Sequence, residues 1–155
     1  FLANAIGNFL RMPSARGPGS LEWLLELADS IITYRSRYSR LPELLPVIDL
    51  LVFDDSNPHG VVFQGSVLAR YLDRMGRELG DHSESSLPDV LSRLRAFSLE
   101  PLEHLQFNEC RTCPPCEELA DLLKELDAAA VQLSARLGMR YFTHVGDVSR
   151  QTMAL

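Results

Sequence analysis

The chain has no run approaching the roughly 20 apolar residues that a membrane-spanning helix needs, so no membrane association is expected. No charged segment precedes an apolar core at its start, which argues against a secretory signal. It opens on Phe1 rather than Met, in FLANAIGNFL, and reads as part of a longer polypeptide. Positive charge is in deficit: the formal net charge is -6 and the pI about 5.2. A general electrostatic footprint for nucleic acid or anionic lipid is therefore missing. Cysteine is scarce, and its 3 copies, Cys110, Cys113 and Cys116, sit close together. Their odd number argues against a secreted disulfide framework and for a reducing, cytoplasmic compartment. No Gly-rich phosphate loop, nucleophile elbow, His-Glu-x-x-His or base-reading module occurs. No catalytic residue and no cofactor are expected.

What is present fits one compact domain: 155 residues and 17.4 kDa, with 46% hydrophobic and 23% charged residues. Residues 1–10 have helical composition despite Gly7, and the Pro- and Gly-rich stretch 12–19 reads as a linker. Residues 1–19 are thus expected to be the end of a preceding helix plus a linker, 20–145 a helical domain, and 146–155 a frayed tail. Ser20 is the expected N-cap of a helix whose stripe is Leu24, Leu27, Ala28, Ile31, Tyr34 and Tyr38, with Pro42 beyond its end. Val47 to Phe53 suits a buried helix or a strand; no partner strand is evident, so helix is expected.

Asn57 then caps a third helix with Pro58 in its first position, carrying Val61, Leu68, Leu72 and Met75 on one face. Residues 76–86 read as a loop. Ser86 and Asp89 match a capping box for a helix that Pro101 must kink or restart, the segment after it running to about Phe107. The last helix opens at Pro115, Glu117 and Glu118, packs through Leu119, Leu122, Leu126, Leu133 and Leu137, and stops near Gly138. The expected fold is all-α: an antiparallel bundle of about four to six helices, with no sheet.

Three clusters could carry chemistry. Tyr34, Arg35, Arg37, Tyr38 and Arg40 lie at a helix end; Arg37 and Arg40 share a face and could clamp a phosphate or carboxylate with forked donors. Alternatively the Arg stems cover apolar surface and their heads pair with acids. Cys110, Cys113 and Cys116, with His104 upstream, have spacing that suits zinc or an iron–sulfur cluster. The ligand set is incomplete, and the expectation is no metal and three free thiols. Asp54 and Asp55 ahead of Ser56, Asn57 and Pro58 resemble an acid/base or metal pair, but helix starts use the same residues, and capping is the favoured reading.

The order of these signals resembles the Alpha-E family, a predicted all-helical bacterial domain named for a Glu-Arg motif. The likeness rests on Tyr34, Arg35, Arg37, Tyr38, Leu50, Leu51, Asp54, Asn57 and Pro58, and covers about 21–75 well and the last helix weakly. Where the family has Arg-Ser after Asn-Pro, this chain has His59-Gly60, and its look is of the C-terminal half of such a domain. The resemblance implies a place beside, or fused to, circularly permuted ATP-grasp proteins of a peptide-ligating system. The implied role is a non-catalytic docking module for an ATP-grasp-type domain in cis or trans, with self-association as a further expectation. The alternative it leaves open is an anionic ligand, or a share in a ligase active site, through the Arg/Tyr cluster. Docking would need exposed apolar surface.

Overall fold

Leu, Ala and Val recurring at helical spacing dominate the sequence, and a computed structural model winds almost all of these segments into helix. It describes residues 1–12, 18–38, 41–79, 85–103 and 114–142. Helices α1 (Leu2–Arg11), α2 (Pro18–Leu27), α3 (Ile31–Tyr38) and α4 (Leu44–Ile48) lead into a π-helical turn, Asp49–Phe53. Then come α5 (Val61–Leu79), α6 (Leu87–Arg95), α7 (Glu100–Glu103) and α8 (Pro114–Phe142). No strand occurs among the described residues, so the fold is all-α as expected.

Helix α8 organises the packing. It carries α1 along much of its length and also receives α6 and α7, while α5 packs on α6 and on the π-helical turn. Leu119, Ala120, Leu123, Leu126 and Ala129 of α8 are buried in one continuous core with Ala3, Ile6, Phe9 and Leu10 of α1. Helix α1 is thus built into this core. At Gly7 α1 lies close against α8, since a Cβ there would lie 3.2 Å from the Ala120 carbonyl oxygen.

Several expected boundaries move. The helix expected to run from Ser20 to Tyr38 is two helices, and Ser20 lies inside α2 rather than capping it. The break is a C-terminal cap centred on Asp29, which adopts φ 48°. Asp29 N–H donates to the Glu26 carbonyl at 3.0 Å and Ser30 N–H to the Leu25 carbonyl at 2.8 Å, the two bonds of a Schellman motif. Helix α5 begins at Val61, past Asn57 and Pro58, and extends into the first residues of the expected loop, as far as Leu79. Ser86 precedes α6 without a side-chain cap; the Ser85 hydroxyl instead accepts from Leu87 N–H at 3.2 Å. Helix α8 continues through Gly138, where nothing crowds the chain. The added breaks, and the short α4 and α7, raise the helix count above the expected range.

The left-handed backbone at Asp29 gives a direct test. Asp29→Gly removes the Cβ penalty and is expected to raise stability by roughly 0.5–1 kcal/mol, whereas the β-branched Asp29→Val should lower it by about 1–2 kcal/mol. Urea unfolding of the two variants reads the difference, and equal midpoints would mean that the α2–α3 break is not formed as described.

Candidate functional site

The residues that carry the family resemblance meet at one corner, where α3 faces the π-helical turn. In that turn Asp54 N–H donates to the Asp49 carbonyl at 2.9 Å, an i to i+5 bond. Such turns are rare and recur at functional sites. From α3, Arg37 Nη1 donates to Asp54 Oδ2, and Arg37 Nη2 to Ser56 Oγ at 3.0 Å. Asp54 Oδ1 accepts from Ser56 N–H at 2.8 Å and from Ser56 Oγ–H at 2.6 Å. The Asp54-Asp55-Ser56 segment is therefore a turn closed on its own carboxylate. Asp55 is exposed and takes no part in it.

The aromatic residues complete the corner. Tyr34 is buried, its ring centroid 4.8 Å from that of Tyr38. Its hydroxyl donates to the Leu41 carbonyl at 3.4 Å and accepts from Glu43 N–H at 3.1 Å, which pins the start of α4 to α3. Tyr38 stands beside the Asp49 carboxylate, and the two act on each other electrostatically. Arg35 faces outward and meets Glu22 of α2 at 3.5 Å. Arg40 lies outside the described residues. The expected Arg37–Arg40 clamp is thus seen only on one side, and there Arg37 is engaged by Asp54.

Behind the corner sits a buried polar link that sequence reasoning assigned to helix capping alone. Asn57 is 1% exposed and Ser30 0% exposed. Asn57 Nδ2 donates to Ser30 Oγ at 3.2 Å and to the Leu50 carbonyl at 3.0 Å, and Asn57 Oδ1 accepts from His59 N–H at 3.2 Å. Asn57 thereby ties the α2–α3 break, the π-helical turn and the entry to α5 together. Gly60 packs beneath this link, where a Cβ would stand 3.1 Å from the Asn57 carbonyl oxygen and 3.2 Å from that of Asp54.

The electrostatics push the two carboxyls of the corner in opposite directions. Burial raises the Asp49 carboxyl above its usual range and the nearby Asp54 charge adds to this, against the Tyr38 hydrogen bond and Arg37. Burial also acts on Asp54, but the Ser56 hydroxyl, Ser56 N–H and Arg37 outweigh it and hold that carboxyl low. Tyr38 is raised by its burial and by Asp49. Asp49, alone in an otherwise apolar run, was the available sign of this site, because a buried charge needs a partner.

A pH test follows with a definite sign. Asp49 has a raised pKa in the folded state, so its contribution is fully present below its unfolded value and is lost as pH rises through the folded value. Asp54, held low, contributes above its unfolded value and loses that as pH falls through its folded one. Asp49→Asn removes the first penalty only. Its melting temperature should exceed that of the parent at pH 7, with the gap closing as pH drops below the ordinary carboxylate range. A constant gap at all pH values would contradict the assignment.

The cysteines depart from expectation. Cys116, at the start of α8, is buried and disulfide-bonded, so the three are not all free thiols. Spacing that suits chelation also suits oxidation, and the bond removes the support that the odd cysteine count lent to a reducing compartment. Cys110, Cys113 and His104 lie outside the described residues. Among the described residues no group of His, Cys, Asp and Glu side chains could hold a metal ion. No described helix is long and apolar enough to cross a membrane.

A family model for Alpha-E, a predicted alpha-helical domain with a conserved ER motif, matches residues 2–142. The chain belongs to the Alpha-E family. The match takes in α1 and α6 as well as the Tyr/Arg corner, so the Alpha-E signal is wider than the segments that carried the resemblance. The Glu-Arg dipeptide itself does not occur in this Alpha-E sequence. No curated protein and no solved structure matches the chain.

Proposed function

We propose that this Alpha-E chain is a non-catalytic helical accessory module that docks to an ATP-grasp-type domain, in the same polypeptide or a partner, within an ATP-dependent amide-bond ligase system. The observation that carries the non-catalytic reading is the closure of the polar corner. Arg37, Asp54 and Ser56 are bonded to one another, and Tyr38 packs on Tyr34 beside Asp49. These groups hold α3 against the π-helical turn and are spent on that task. On this reading Arg35, Arg37 and Tyr38 position helices and do not meet a substrate.

Exposed apolar side chains supply the surface that docking needs. Trp23 of α2 is 54% exposed and Met12, just after α1, 55%. Together with Phe9 they line a groove of about 420 Å³. Exposed tryptophan and methionine are the residue types that anchor protein interfaces. The test is co-purification with the ATP-grasp-type protein encoded alongside or fused, followed by ATP-dependent ligation. Wild-type chain should co-elute and Trp23→Glu should not, with ligation falling alongside. Separate elution of the wild-type proteins at micromolar concentration would overturn the proposal.

A further inference from the structure

Beside the turn that carries Asp55, α5 and α6 form a groove of about 570 Å³. Its floor is apolar, made by Phe63 and Val67 of α5 and Leu91 of α6. Above the floor stand Arg70 of α5 and Arg95, the last residue of α6. Arg95 Nη2 donates to Ser66 Oγ at 2.6 Å, while Ser66 Oγ–H donates to the Val62 carbonyl. The serine thus holds the Arg95 guanidinium at the groove, and among the described residues Arg95 has no carboxylate partner. Among the described residues Arg70 makes no ion pair at all. By contrast Arg11, Arg35, Arg37, Arg74, Arg77 and Arg93 each face a carboxylate. In a chain of net charge -6, two guanidiniums left without acids on one groove stand out.

Two acids line the same groove and narrow the ligand class. Asp73 is paired with Arg77 at 2.9 Å. Asp55 is exposed and lines the groove with no ion pair among the described residues, so its charge opposes a second negative charge on whatever binds. A phosphate dianion would meet that repulsion twice over, whereas a carboxylate carries a single charge and matches a guanidinium fork in two parallel hydrogen bonds. We infer that the α5–α6 groove binds a small carboxylate with an apolar body: the carboxylate between Arg70 and Arg95, the body on Phe63, Val67 and Leu91. This site is separate from the proposed docking surface and stands or falls independently of it.

The experiment is a titration of isotope-labelled protein with N-acetylphenylalanine, followed through backbone and arginine side-chain resonances, with N-acetylphenylalanine amide and inorganic phosphate as parallel probes. Saturable shifts centred on Arg70, Arg95 and Phe63 are expected with the acid and not with the amide. Arg70→Ala and Arg95→Ala should each weaken binding by about tenfold or more, the equivalent of one charge-assisted pair. Asp55→Asn should tighten it, a gain that a merely structural role for Asp55 would not produce. All three positions are exposed, so the variants keep the fold. Absence of saturation, equal binding of the amide, or equal binding in the Arg70→Ala/Arg95→Ala double variant overturns the site. Phosphate binding as tight as the acid's overturns the carboxylate assignment.

Discussion

Asn57→Ala is expected to cost about 2–3 kcal/mol and to lower the melting temperature by roughly 5–10 °C. The side chain is buried and its amide makes bonds that no water can replace. Ser30 Oγ, the Leu50 carbonyl and His59 N–H would each lose a partner inside the protein. Removing one side of a buried hydrogen bond leaves the other side desolvated, which is why the loss exceeds the net worth of the bonds themselves. Asn57→Asp sharpens the test. It keeps an acceptor for His59 N–H but turns a donor towards the Leu50 carbonyl into a carboxylate, and a buried charge facing a carbonyl costs more still. Asp should therefore be worse than Ala at neutral pH and recover as the solution is acidified. Denaturant unfolding at two pH values checks both statements; an Ala variant within 0.5 kcal/mol (about the scatter of surface substitutions) would remove the link from the list of what holds this corner.

Gly7→Leu is expected to be the other severe substitution, costing about 3 kcal/mol by forcing α1 off α8. Two effects compete at this position. Gly is a poor helix residue, so any side chain gains up to about 1 kcal/mol of helix propensity. Against this, the new Cβ would sit 3.2 Å from the Ala120 carbonyl oxygen and 3.7 Å from Leu123 Cβ, and backbone cannot rotate away. Gly7→Ala should come out close to neutral because the two effects nearly cancel. Gly7→Leu adds volume that the buried neighbours Ile6, Leu10 and Leu123 leave no room for. Limited proteolysis should then cut within α1 in the Leu variant and spare it in the parent. Parent-like resistance in Gly7→Leu would show that α1 is not seated on α8 at this point.

Apolar spacing carried most of the fold. The stripe from Leu24 to Tyr38 and the leucine seam of α8 each mark a buried face correctly, because burial depends on which residues repeat and little on where helices stop. Stops were harder to read. Asp29-Ser30 sits inside an unbroken stripe, and only backbone geometry reveals that Asp29 turns left-handed there. Asn57-Pro58 has the composition of a helix start, yet Asn57 is drawn inward to Ser30 and Leu50, and α5 opens only at Val61. The partners within the Tyr/Arg corner were less legible again. Arg37 and Asp54 are far apart in the chain, and nothing local in the sequence links an exposed helix end to a turn beyond the next helix. Asp49 left a trace as a lone acid among apolar residues, but its place beside Tyr38 depends on how the turn around it is wound.

That winding has a consequence of its own. In an α-helix, residues five apart point about 140° away from each other, since each residue advances about 100°. Closing Asp49 to Asp54 by an i to i+5 bond winds the turn more loosely than that, and the Asp54 charge acts on Asp49 across it. Charge density at this corner is thus a property of hydrogen-bond register as much as of residue identity. Rewinding a single turn by one residue would separate Asp49 from Asp54 and carry Asp54 away from Arg37 without altering one atom of the sequence.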